Sequence, residues 1–260
     1  MIMVELPFDP LRRAEEIETR VMDGSGRKYY RVRPARYYGG IATADLVGCN
    51  LLCAYCWNYR RNLEPSACQG WFYHHAEMAK RLVMLARKKG YTRIRMSGAE
   101  PILGERSFNH LVGVLQEISR VDSRMEFVLE TNGIMFGARP EFAREVAHTH
   151  RLHVRISLKG WDEGSFEKIS GAQGRYFLLP MEGLRNLLDL GVAAWPAIMY
   201  ELFGGKGIEK VSERLKELAL RPEELEVEHL EPYPFVLENL RRRSIETELL
   251  GIGPVRRSQN

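Results

Sequence analysis

A chain of 260 residues, 45% hydrophobic and 28% charged, has the composition of an ordinary globular protein with enough apolar side chains for a sizeable core. Its formal net charge of +4 is too small and too scattered to demand nucleic acid as a partner. No stretch approaches the roughly 20 apolar residues that span a bilayer, and the first sixteen residues lack the apolar run of a secretory signal, so a cytoplasmic protein with no membrane partner is expected.

In chain order, Leu11–Gly24 reads as one short helix and the basic, aromatic run Arg27–Gly40 as extended chain. A rhythm of strands and helices starts at Gly40. Strands are expected at Ile41–Val47, Tyr91–Met96, Met125–Glu130, His153–Leu158, Val192–Tyr200 and Leu225–Leu230. Helical spacing marks His75–Lys89, Ser107–Val121, Pro140–Ala147, Glu163–Ile169, Leu178–Leu190 and Ile208–Leu220. The first of these ends in Lys-Lys-Gly, a good C-terminal stop. Six strands alternating with helices imply a parallel sheet with right-handed crossovers. A closed barrel of this kind has eight units, so the expected fold class is α/β, a partial (β/α)6 TIM-like barrel with parallel strands. Functional side chains should gather at the C-terminal ends of its strands. Residues 40–235 form the expected core domain, with 1–39 as an N-terminal lead-in and 236–260 as a basic C-terminal tail.

All four cysteines, Cys49, Cys53, Cys56 and Cys68, lie within twenty consecutive positions. A disulfide framework would spread them along the chain, so the cluster points to metal or redox chemistry. Cys49, Cys53 and Cys56 make a C-x3-C-x2-C run. Three thiolates this close can grip three irons of a cubane and leave the fourth iron without a protein ligand. Structural zinc wants four ligands, which Cys68 with His74 or His75 would have to complete. Cys68 otherwise reads as a small buried hydrophobe.

The segment GIATADLVGCNLLCAYCWNY resembles the radical S-adenosylmethionine (SAM) superfamily, and its phrasing is closest to the activating enzymes of glycyl-radical enzymes. The aromatic residue before the third cysteine is matched by Tyr55. The resemblance implies a [4Fe–4S] cluster on Cys49, Cys53 and Cys56 and SAM chelated to its open iron. Reduction by a donor such as flavodoxin or ferredoxin would then yield a 5′-deoxyadenosyl radical that takes hydrogen from a protein or small-molecule substrate.

Motifs at later strand ends extend the likeness. Ser97-Gly98-Ala99-Glu100-Pro101 is similar to the superfamily's G-G-E-P element, which implies that Gly98, Ala99 and Glu100 meet the SAM amino group. Glu130-Thr131-Asn132-Gly133 is similar to an acidic-Thr-Asn-Gly element of the activating enzymes. Ser157-Leu158-Lys159 stands where those enzymes have Asp-Leu-Lys, with Lys159 implied near the SAM carboxylate and Ser157 a departure. Met199, Tyr200 and His229 end the last two strands, where packing competes with adenosine contact. Two rival readings remain. Trp57, Arg241–Arg243 and the Arg-Tyr stretch at 29–38 would suit a radical SAM enzyme that modifies RNA, and a non-catalytic iron–sulfur or zinc protein would need none of the strand-end motifs.

Overall fold

Along the expected strands every second side chain is apolar, and a computed structural model, which describes residues 4–247, shows what that alternation builds. Nine strands join one sheet among the described residues: β1 (Met22–Asp23), β2 (Gly26–Ala35), β3 (Ile41–Leu46), β4 (Trp71–Tyr73), β5 (Arg93–Ser97), β6 (Glu126–Thr131), β7 (Leu152–Ser157), β8 (Ala193–Met199) and β9 (Glu226–Glu228). Strands β3, β5, β6, β7, β8 and β9 pair in that order and all in parallel. This is the partial barrel that six units allow. On its opening edge β2 runs antiparallel to β3 and carries β1 and β4 in turn, so residues before 40 belong to the same sheet.

The two faces of each strand have different fates because side chains alternate with period two. Ile94, Met96, Phe127, Leu129, Val154 and Ile156 point to the helices and are almost wholly buried. The residues between them face the barrel interior. Ala35, Ile41 and Val128 form its apolar floor. Above the floor the interior turns polar, with Thr43, Arg95 and Arg155 buried there.

The helix at His75–Lys89 has the expected limits, and Gly90 closes it in the left-handed region, φ +70°, with its N–H on the Ala86 carbonyl. Three expectations need correction. The antiparallel β4 was not expected, because Trp71 and Phe72 are exposed and leave no buried face to read. The last strand is three residues, not six, since the Leu230 N–H turns to the Glu201 carboxylate instead of a ladder partner. The preceding helix spans Tyr200–Lys216 rather than Ile208–Leu220, with a break at Gly204 (φ +55°) that hides its first turn from helical periodicity.

The termini pack onto this frame. Asp9 caps the helix Pro10–Val21 by accepting from the Leu11 and Arg12 N–H groups, and the helix buries Ala14, Ile17 and Val21. The helix Pro234–Arg242 buries Val236 and Leu240. Of the expected C-terminal tail, residues 248–260 lie outside the described residues. No helix among the described residues is long and apolar enough to cross a membrane.

One buried histidine gives the fold a pH signature. His110, on the helix Glu105–Val121, is held between the Tyr29 hydroxyl (2.8 Å) and the Ser25 carbonyl (3.0 Å). The carbonyl requires a donor, so Nδ1 carries the proton and Nε2 accepts from Tyr29. Burial lowers the His110 pKa to about 4 from its usual 6.5, against the pull of the Ser25 carbonyl. The unfolded chain binds more protons between those values, so stability falls as pH drops through that window. The loss is on the order of 3 kcal/mol. Urea unfolding between pH 7.5 and 4 should show it, and His110→Gln should flatten it; an equal slope in both proteins would refute the assignment.

Candidate active site

Just past β3 the chain turns at Gly48, whose φ of +89° suits glycine. A side chain there would meet Ile17 Cγ2 at 2.7 Å, so the helix Pro10–Val21 sits directly against the turn. The cysteine loop follows. Its backbone is zipped to the end of the helix Glu163–Ser170: Leu52 N–H donates to the Ser170 carbonyl (3.0 Å) and Ala54 N–H to that of Ile169 (2.8 Å). Leu51 and Leu52 are buried as anchors. Cys53 is buried, while Cys49 and Cys56 are half-buried.

Two sulfurs already receive hydrogen bonds, Cys49 Sγ from the Leu51 N–H (3.4 Å) and Cys56 Sγ from the Asn62 side-chain amide (3.5 Å). Burial raises the pKa of all three thiols. Cys49 is pushed up further by Glu100 and Cys53, and Cys56, with Cys53 adding to its burial, rises to about 12. Three thiols that resist ionising beside one another fit a cationic centre that would hold them as thiolates, with protons released on binding. Among the described residues no three His, Cys, Asp or Glu side chains surround one point, as a single metal ion requires. A cubane makes another demand, with each thiolate on its own iron. The donor set fits that demand.

Neither zinc helper joins the loop. Cys68 Sγ donates to the Gln69 carbonyl (3.2 Å) and lines an outer groove with Tyr30, Arg61 and Trp71. His74 and His75 lie against each other with ring centroids 3.8 Å apart.

The strand-end motifs converge beside the cysteines. Glu100 is 2% exposed. Its Oε1 accepts from the Thr131 hydroxyl (2.7 Å) and the Ile102 N–H (3.1 Å), and its Oε2 from the Asn132 N–H (2.8 Å). A carboxylate offers about four acceptor positions, so one remains on Oε2. Burial raises the Glu100 pKa to about 7 even though those three bonds and Lys159 act to lower it. The Asn132 side chain then donates to Asn50 Oδ1 (2.7 Å), inside the cysteine loop. Gly98, at φ +85°, gives its carbonyl to the Asn58 side chain (2.6 Å), just past Cys56, while Ala99 packs half-buried against the core.

From the next strand end, Lys159 Nζ lies 5.4 Å from the centre of the Tyr55 ring, within the cysteine loop. Burial lowers its pKa. No hydrogen bond or ion pair engages this ammonium among the described residues. Ser157 does not approach the loop in this way; its hydroxyl accepts from Arg155 Nη1 (2.8 Å).

Other candidates face elsewhere. Tyr200 is exposed, Met199 packs against the core, and the largely exposed His229 pairs with Glu201 (2.9 Å). Of the basic runs, Arg31 and Arg33 both bind the buried Asp45, Arg242 binds Glu238, and Arg243 donates to the carbonyls of Leu52, Lys168 and Ile169. Those arginines are committed within the molecule.

Sequence reading missed the charged interior layer. Arg95 binds Glu130 (2.6 Å), which also accepts from Ser97 (2.8 Å), while Arg155 reaches Glu226 (3.0 Å) and Glu228 (2.7 Å). The signal was present: an arginine at alternate positions of an otherwise apolar strand, as in Arg-Ile-Arg-Met and His-Val-Arg-Ile, has to face something polar. Asn58 and Asn62 gave no comparable sign, since a polar residue after a cysteine loop is ordinary.

Replacing Glu100 with Ala strands three buried donors. Each costs roughly 1–3 kcal/mol when unpaired, so the metal-free variant should lose several kcal/mol in urea unfolding. Unchanged stability would mean that the carboxylate does not brace these loops.

Comparison with known proteins bears on this arrangement. The chain is 28% identical over 180 residues to the GTP 3′,8-cyclase of Peptoclostridium acidaminophilum, a match that covers 66% of this chain and 46% of the cyclase. The chain therefore spans less than half the length of that relative. Among solved structures it resembles a radical SAM methyltransferase from Sphaerobacter thermophilus, with a TM-score of 0.56 at 16% identity over 82% of this chain and 66% of that one. Streptococcus suis SuiB bound to S-adenosylmethionine gives 0.54 at 15% identity, over 77% and 45%. These two likenesses are of fold. The sequence model of the Radical SAM superfamily matches residues 45–219, from the end of β3 through the helix after β8. The chain belongs to the Radical SAM superfamily, whose members use a [4Fe–4S] cluster and S-adenosylmethionine.

Proposed function

We propose that Cys49, Cys53 and Cys56 hold the [4Fe–4S] cluster of this radical SAM enzyme and that SAM binds between the cysteine loop and the ends of β5, β6 and β7. The single observation that carries the reading is the convergence at one barrel mouth of three thiols, a buried carboxylate with one free acceptor position, and an ammonium without an ion-pair partner among the described residues. When bound, the cluster supplies the electron that cleaves SAM to a 5′-deoxyadenosyl radical, which takes a substrate hydrogen. The chain's own part is to bind, orient and exclude water. Glu100 would accept from the SAM ammonium, Lys159 would meet its carboxylate, and Tyr55 would hold Lys159 in place. The buried leucines beside the cysteines keep water from the loop's inner side.

Two substrate classes follow from likeness. The motif phrasing around Thr131-Asn132 and Lys159 supports a glycyl-radical protein, and the GTP 3′,8-cyclase relative supports a purine nucleotide. Anaerobic reconstitution, reduction and a screen for deuterium passing from labelled glycyl peptide or GTP into 5′-deoxyadenosine would separate them. Flavodoxin or ferredoxin is the proposed electron source.

Reconstituted protein should carry about four irons and four sulfides and release 5′-deoxyadenosine on reduction with SAM. Ala at Cys49, Cys53 or Cys56 should abolish both, and Cys68→Ala should leave both intact. Stoichiometric zinc in place of iron, or loss of the cluster in Cys68→Ala, would overturn the assignment.

The SAM contacts have their own signature. Hydrogen bonds to charged groups contribute roughly 1.5–3 kcal/mol, so Glu100→Gln and Lys159→Ala should each weaken SAM binding about ten- to a hundredfold while the cluster persists. Because the Glu100 carboxyl titrates at about 7, wild-type affinity should fall as pH drops below that value, and Glu100→Gln should lose this dependence. Unchanged affinity in both variants would reduce these motifs to ordinary turns.

A further inference from the structure

Three arginines from distant parts of the chain surround the cysteine loop, and none has a carboxylate within ion-pairing distance among the described residues. Arg27 is 1% exposed, in the middle of the antiparallel edge of the sheet. Its Nη1 donates to the Val47 carbonyl (2.7 Å), two residues before Cys49, and its Nη2 to the Glu100 carbonyl (3.2 Å). Arg13, 7% exposed, donates through Nη2 to the Asn62 carbonyl (2.8 Å), and the Asn62 amide donates to Cys56 Sγ (3.5 Å). Arg243 donates to the Leu52 carbonyl, one residue before Cys53, and to those of Lys168 and Ile169. The Nε atoms of Arg13 and Arg27 have no hydrogen-bond partner among the described residues.

A buried guanidinium bonded only to carbonyls is an expensive arrangement, because its charge is desolvated without an opposing charge. The carboxylates electrostatically near Arg27 are already engaged, Glu100 by Thr131 and Asn132 and Glu18 by Ser107. The acidic group that both Arg13 and Arg27 feel is Cys49, and Arg243 acts on Cys53. Elsewhere in the molecule the arginines that face carboxylates pair with them directly, as Arg95 and Arg155 do. What distinguishes these three is that their missing anion lies where the cysteines are.

We infer that Arg13, Arg27 and Arg243 form a carbonyl-anchored ring of positive charge that neutralises the thiolate-bound cluster and raises its reduction potential. The inference rests on the assignment of the cluster to Cys49, Cys53 and Cys56. Adding one electron makes the cluster and its thiolates more negative, so nearby fixed cations favour the reduced form. The arginines exchange no electron or proton; they are positioning and tuning residues whose carbonyl bonds also fix the loop.

The test compares midpoint potentials of the reconstituted cluster, followed by electron paramagnetic resonance during reductive titration. Arg27→Met and Arg243→Gln should each lower the one-electron reduction equilibrium by about tenfold, which is about 59 mV more negative. Arg27→Lys, which keeps the charge, should stay close to wild type, as should Arg12→Met on the exposed side of the same helix as Arg13. Arg243 is half-buried, so its variant keeps the test available should Arg27→Met fail to fold. Hydrogen exchange of the loop amides in the metal-free variants separates loosening of the loop from loss of charge. A midpoint unmoved in Arg243→Gln and in any folded Arg27→Met, or moved equally by Arg27→Lys, would overturn the charge ring and leave the arginines as braces. Wild-type protein that takes up no iron would instead overturn the cluster assignment beneath it.

Discussion

The Glu100 carboxylate is the contact on which the barrel mouth depends. It gathers the loop after β5 onto the loop after β6 through Ile102, Thr131 and Asn132, and Asn132 passes the connection to Asn50 in the cysteine loop. A buried carboxylate is costly unless its oxygens are well supplied with donors. Here the donors come from two loops, so the group that must be satisfied is also the group that fixes their spacing. Burial raises its pKa against the pull of those donors. Three donors on about four acceptor positions leave one on Oε2. The same side chain can thus hold the frame and retain some capacity to bind.

Much of this was legible in the sequence because it is periodic. Six apolar, β-rich runs alternating with helical spacing fixed the partial barrel, and the helix His75–Lys89 could be read to the residue because Gly90 stops it in a conformation that suits glycine. The strand β4 escaped because it has no buried face, and the helix that began too late was broken by Gly204. Local pattern reports burial. Where an element stands exposed or kinked, the pattern has nothing to record.

The site divided along similar lines. The three cysteines announce themselves by spacing, and Glu100, Thr131, Asn132 and Lys159 by their places at strand ends. Arg27 and Arg13 could not be found that way, because a lone arginine in a basic strand or on an amphipathic helix looks like surface charge. Their burial is a tertiary fact, as is the pairing of Arg31 and Arg33 with Asp45, which ties two arginines of the Arg-Tyr stretch within the molecule. The phrasing that suggested a glycyl-radical activating enzyme and the GTP 3′,8-cyclase relative part over the substrate.

The zipper between the cysteine loop and the end of the helix Glu163–Ser170 bears on how the protein is made. Leu52 and Ala54 find their backbone partners at Ser170 and Ile169, and Arg243 closes on the Leu52 carbonyl from 191 positions further along the chain. During synthesis the thiols leave the ribosome long before any of these partners exists. The cysteine loop can take its final shape only when nearly the whole barrel has been translated. With the cluster on these cysteines, as proposed, iron and sulfide delivered earlier would meet three thiols on an unformed segment, and the geometry then favours loading of the finished chain over capture by the nascent one.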